Sequence, residues 1–301
     1  MSQWGAQGAA LTGQSFDSIL DFYYPGTIRT AVGNELIRVG LTADGSQLRI
    51  SPVDGLSVVE SNGTTTTLPG GHTGWRLWPT GSALQLQQTT GSGWTPFAVS
   101  GSTNLASPVR FTAPGNPIRV WRADGTSRDY RGTLSAITSG ASVVTVDTLP
   151  MESYLRGVVP QESPASWQPA ALQAQAVAAR TYAMATKQAA PSIATSDICD
   201  TTACQVFSGT ATYTASGTRT SYCQDLWMKK FDHAALVASP GVRGVSRSVS
   251  LPRSNFAPAR TRATRCGALT ARQRCWAASI SLNAIAMPAA LEPGPLVTLV
   301  R

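Results

Sequence analysis

The chain has 301 residues, enough for one large or two modest domains. Only 13 % of them are charged, and no apolar run approaches the ~18 residues of a membrane-spanning helix, which excludes a helical integral membrane protein. The net charge of +8 sits at the end: residues 1–218 carry 12 Lys/Arg against 13 Asp/Glu, residues 219–301 carry 12 against 3, so the front part gives no reason to expect nucleic acid.

In chain order, residues 1–30 predict a short helix and a turn broken at Pro25-Gly26. Residues 31–107 and on to 146 predict β structure, in short runs such as LIRVGL, LRISPV, LSVVES, ALQLQQ, IRVWRA and SVVTVDTL. Asp124-Gly125 between two such runs is a hairpin signal. At Leu149-Pro150 the pattern turns helical, with Pro150 in the first turn and Glu152 favouring the helix dipole; Pro160 is expected to end that helix. A second, Ala-rich helix starts near Trp167-Gln168-Pro169 and runs to about Ala189. Small side chains let neighbouring backbones approach, so this helix is expected to be buried on most sides. Arg180 within it must then be paired, with a carboxylate or backbone carbonyls, or else meet a substrate. Gln175 is a second polar group in the same setting. The fold class expected is α+β: a β-rich front and a core of two helices on a mainly antiparallel sheet.

A loop in which Asp197 and Asp200 are expected to form turns follows, then strands to about 215. From 219 the sequence loses periodicity and fills with Arg, Ala and Pro. It reads as a basic tail or, more readily, as an out-of-frame translation. The five cysteines all follow residue 198. Cys199 and Cys204 allow a short disulfide, free thiols or two zinc ligands; with only His72 and His233 in the chain and neither adjacent, the disulfide is favoured. His72 reads as a loop residue, and Cys223, Cys266 and Cys275 are assigned nothing.

Four stretches together resemble the SpoIID/LytB family, named after a stage II sporulation protein and an amidase enhancer. They are YLRGVVPQESPASWQPAALQAQAVAARTYA (154–183), DICDTTACQVFSG (197–209), DYRGTLSA (129–136) and MSQWGAQGAALTGQSFDSILDFYYPGT (1–27). The resemblance implies a family domain over 108–218, a partial family motif over 1–30, and action on bacterial peptidoglycan outside the cytoplasm or in the cell envelope. It also implies a late start codon at Met1, with an export signal lost upstream, and glycan strands and a cell-wall amidase as partners, without nucleic acid. The sporulation members are lytic transglycosylases, and the position matching their catalytic acid is Glu162. Where relatives often carry Met after that acid, this chain has Ser163.

The residues support that role on their own terms. Cleaving a glycosidic bond needs an acid at the leaving oxygen. A lytic transglycosylase needs no second carboxylate and no cofactor, because the sugar's own 6-hydroxyl attacks C1. Val158, Val159, Pro160, Pro164 and Trp167 surround Glu162 in sequence and are expected to raise its pKa. Trp167 also offers a stacking face for a sugar, and Arg180 and Gln175 are the other candidate substrate contacts. The competing reading makes Glu162 a cap for the next helix, shared with Ser163 or Ser166. For the whole chain, the competing reading is a non-catalytic glycan-binding enhancer of an amidase.

Overall fold

A computed structural model of the chain describes residues 1–30 and 32–220, which form a mixed α+β fold. Helices α1 (Gln3–Leu11) and α2 (Phe16–Tyr23) come first. Strands follow: β1 (Leu36–Leu41), β2 (Leu48–Ile50), β3 (Ser57–Val59), β4 (Thr65–Thr67), β5 (Gly74–Thr80), β6 (Ala83–Thr89), β7 (Thr95–Pro96) and β8 (Asn104–Ala106). The β-rich stretch continues with β9 (Val109–Thr112), β10 (Ile118–Trp121), β11 (Ser127–Tyr130), β12 (Thr133–Ser139) and β13 (Ser142–Pro150). Helices α3 (Met151–Glu162) and α4 (Pro169–Ala189) come next, then β14 (Ile198–Cys199) and β15 (Ala211–Tyr213).

The strands form two sheets. A seven-stranded sheet runs β14-β1-β13-β12-β9-β3-β4, and a second runs β15-β11-β10-β2-β5-β6-β7 with β8 also on β6. Among the described strands only β14 pairs in parallel, with β1. The valine run SVVTVDTLP forms β13, which has β1 on one side and β12 on the other. Alternate residues of β2, β5, β6 and β10 (Leu48, Ile50, Trp75, Leu77, Leu84, Leu86, Ile118, Val120) join Ile37, Val39, Val58, Val109, Phe111 and Leu134 in one buried core. The Asp124-Gly125 hairpin joins β10 to β11; Gly125 adopts φ 78°, and the Asp124 carboxylate accepts from the Thr126 N–H at 2.9 Å.

Two expectations change. The front block holds two helices, because Gly13 turns the chain with φ 87° and Ser15 caps a second start by accepting from the Ser18 N–H. Pro160 does not end α3, which runs on to Glu162. A proline costs a helix the hydrogen bond to the carbonyl four residues back. In the final turn that is one bond only, and the Ser163 N–H still closes on the Val159 carbonyl at 2.9 Å.

Candidate active site

Strand β13 leads directly into α3. The first amides of α3 are satisfied from the approach to β1: Met151 N–H donates to the Glu35 carbonyl at 2.8 Å, and Glu152 N–H to Asn34 Oδ1 at 2.9 Å. Glu162 is thereby the last residue of a helix anchored on the sheet, rather than part of a loose turn. The next six residues reverse the chain into α4, whose alanines (Ala171, Ala174, Ala176, Ala179, Ala183) are buried. α1, α2 and α3 all pack against α4.

The N-terminal block reaches the acid. Gln3 Nε2 donates to Glu162 Oε2 at 2.8 Å. One residue on, Trp4 lies against Trp167 with ring centroids 5.1 Å apart and planes tilted by 59°. One turn on, Gln7 Oε1 accepts from the Gln168 N–H at 2.9 Å and so caps α4. Gly5 permits the close fit, since a Cβ there would land on the Tyr23 hydroxyl. Glu162 is half-buried, and burial pushes its carboxyl up from the ordinary glutamate range while the Gln3 amide pulls it back. Trp167 is buried whereas Trp4 is 59 % exposed, so the pair presents an aromatic surface through Trp4. The capping alternative is corrected here: no side chain of Glu162, Ser163 or Ser166 caps α4, because Gln7 does.

The other candidates are placed as follows. Arg180 meets a carboxylate, Glu152 Oε1, through Nε at 3.0 Å and Nη2 at 2.7 Å. Glu152 and Glu162 stand at opposite ends of α3, about 15 Å apart along its axis at ~1.5 Å per residue. Gln175 is buried on α4. Thus Glu162 and Trp167 are brought together by α1, while the Arg180 fork is held at the far end of α3. Behind them Tyr154 is fully buried; its hydroxyl donates to Gln205 Oε1 at 3.1 Å, and Gln205 Nε2 donates to the Ala179 carbonyl at 3.4 Å, tying α3 to α4. Burial pushes the Tyr154 hydroxyl well above its usual range.

Cys199 and Cys204 form a disulfide, with Cα atoms 5.6 Å apart. Both sulfurs are thereby used, and His72 lies elsewhere, against Trp75 and Phe97. Asp197 and Asp200 are buried struts rather than simple turn-formers: Asp197 accepts from the Arg38 N–H at 2.8 Å and its guanidinium at 2.6 Å, and Asp200 accepts from Thr42 N–H at 2.9 Å and Oγ1 at 2.6 Å. They bolt the disulfide loop to β1. His233, Cys223, Cys266, Cys275 and the Arg-rich stretch beyond residue 220 lie outside the described residues.

A long helix-turn-helix ending one helix on a half-buried glutamate is the part of the chain that known families speak to. Residues 139–231 match the SpoIID family model, described as stage II sporulation protein. The matched stretch is about a third of the chain and holds Glu162, Trp167, Gln175, Arg180, Cys199 and Cys204. No curated protein and no solved structure matches the chain.

Sequence reasoning missed the roles of Gln3, Trp4 and Gln7. Their block resembled the same family as the helices, which was the available signal that they share a site. It also missed Asp147, a fully buried carboxyl on β13 whose oxygens make no well-formed hydrogen bond among the described residues. In sequence it looks like one polar residue in an alternating strand.

Proposed function

We propose that the chain acts on peptidoglycan as a lytic transglycosylase, with Glu162 as its single acid and base. The observation that carries this reading is the half-buried Glu162 carboxyl, raised by burial, at the end of α3 and held by Gln3, the chain neighbour of the exposed Trp4. The SpoIID match over the same helices supports the choice of substrate class. In this reading the protonated carboxyl donates to the leaving glycosidic oxygen. The same group, now a carboxylate, takes the proton of the sugar's 6-hydroxyl as that oxygen attacks C1, giving a 1,6-anhydro ring. Trp4 serves as the stacking face, a role first expected of Trp167, which supports it from beneath. Gln3 holds the carboxyl in place and donates to it whenever it is charged. Arg180, tied to Glu152, sets the packing of α3 on α4, and Gln175 supports that packing. No cofactor takes part. The reading puts the protein in the cell envelope or outside the cell.

One observation favours a second reading. Glu162 Oε2 is already engaged by Gln3, as it would be in a domain that grips glycan without cutting it and assists a cell-wall amidase. Incubation with glycan strands stripped of stem peptides separates the two. New anhydro-muramyl ends support the transglycosylase. Co-sedimentation with the strands and no new ends supports the enhancer.

A further inference from the structure

The outer face of the second sheet carries a belt of arginines and aromatic rings remote in sequence from Glu162. Its inner face is apolar: Leu48, Ile50, Trp75, Leu77, Ile118 and Val120 are all buried. The alternate residues point out. Arg49 on β2 lies over the Trp121 ring of β10 at 4.5 Å. Arg76 on β5 lies between two indoles, 4.7 Å from Trp78 and 4.6 Å from Trp94.

Arg49 and Arg76 are direct cross-strand partners. Like charges opposite one another destabilise a sheet. Among the described residues neither makes an ion pair, in contrast to Arg119 nearby, which has Asp129 at 2.8 Å. The hydrogen bonds of Arg76 go to neutral oxygens, Gln87 Oε1 at 2.6 Å and Gln47 Oε1 at 3.2 Å. Three indoles, two adjacent guanidiniums without a close ion-pair partner among the described residues (Asp44 acts on Arg49 only at longer range) and a row of glutamine amides therefore share one face. Trp78 is 37 % exposed and Arg49 is exposed.

We infer that this belt is a second binding face, for a polysaccharide strand that carries carboxylates. Pyranose rings present C–H faces that stack on indoles, hydroxyls suit the glutamine amides, and a carboxylate would neutralise the Arg49–Arg76 pair. Charge argues for this occupant over a single-stranded nucleic acid. A phosphate backbone carries one charge per nucleotide and relies on many cations for its affinity. Here residues 1–218 hold 12 Lys/Arg against 13 Asp/Glu, and two arginines without a close ion-pair partner among the described residues match sparse carboxylates. The inference rests on the peptidoglycan reading only for the choice of probe.

The test uses the full chain carrying Glu162→Gln, so that strands stay intact, titrated with soluble stem-free glycan strands. Parallel titrations use the same strands with their lactyl carboxyls reduced to alcohols, and oligo(dT). Trp78→Ala with Trp121→Ala should weaken binding to both glycans about tenfold or more. Arg49→Gln with Arg76→Gln should weaken binding to the acidic strands by about tenfold and leave the reduced strands unaffected. Arg76→Lys should retain most of the acidic preference. Thermal melting verifies that each variant is folded; an unfolded aromatic variant is replaced by Trp78→Gln alone, and an unfolded arginine pair by Arg49→Gln alone. Belt variants that bind like their parent, equal losses on acidic and reduced strands, or oligo(dT) binding that is tighter than glycan binding and is lost in the belt variants would each overturn the inference. Cleavage by the unmutated chain is read separately. A chain that cleaves but whose belt variants bind normally refutes the belt alone, and one that binds through the belt but never cleaves refutes the transglycosylase alone.

Discussion

Replacing Asp147 by Asn should make the fold's stability markedly less dependent on pH. Asp147 sits in β13, opposite Val39 of β1 and Leu134 of β12, with no exposed surface. Neither oxygen makes a well-formed hydrogen bond. A Cβ on Gly132 would land on Oδ1, so the strand start is closed over it; burial outweighs the opposing pull of the Gly132 amide. Burial pushes the pKa from 3.8 to about 8. The folded state therefore holds a proton that the unfolded chain releases above pH 4. This contribution is fully present below pH 4, is lost as pH rises to about 8, and is flat beyond. At about 1.4 kcal/mol per pH unit, the loss is on the order of 5 kcal/mol. Asn cannot ionise. Its buried amide adds a pH-independent cost of about 1–3 kcal/mol. Urea unfolding of both proteins from pH 4 to pH 9 gives the difference directly. The variant should gain several kcal/mol relative to its parent across that window. A difference that stays constant with pH would refute the placement of a neutral acid in the sheet.

Other consequences follow from named contacts. Gln3→Ala removes the donor that favours the charged form of Glu162, so its pKa should rise further; because the acid acts protonated, the alkaline limb of a pH–rate profile should move upward, and an unmoved limb would refute the pairing. Glu152→Gln leaves Arg180 largely buried beside a neutral group and should cost about 3 kcal/mol in urea unfolding, whereas Glu152→Met with Arg180→Met should cost less. Equal costs would mean that the pair is not what holds α3 to α4 there. Gly157→Ala would place a methyl against the Phe207 ring and should lower stability by roughly 1–3 kcal/mol, read as a fall in melting temperature.

The local elements were readable because local chemistry decides them. Pro150 opening α3, the alanine run of α4 and the Asp124-Gly125 turn each carry their own signal. The need of Arg180 for a partner was also readable from its alanine setting, although Glu152 had been explained by the helix dipole alone. Pro160 misled because a proline's cost depends on how many turns remain, and the bond closing at Ser163 is invisible in sequence. Long-range partners were not readable. Gln3 lies 159 residues from Glu162, and only folding shows that it donates to that acid. Asp147 and the Arg49–Arg76 pair depend on strand register, which alternation constrains but does not specify between distant strands. In RLW (76–78) and RVW (119–121) the Arg and Trp spacing of the belt was present, but not which arginine faces which indole.

The measurement closest to the central claim is the product end left on stem-free glycan strands by the parent and by Glu162→Gln, read by mass spectrometry. The parent should leave 1,6-anhydro ends and the variant none, with the variant still bound to the strands. Anhydro ends released equally by both proteins would show that another group supplies the proton and would contradict that claim.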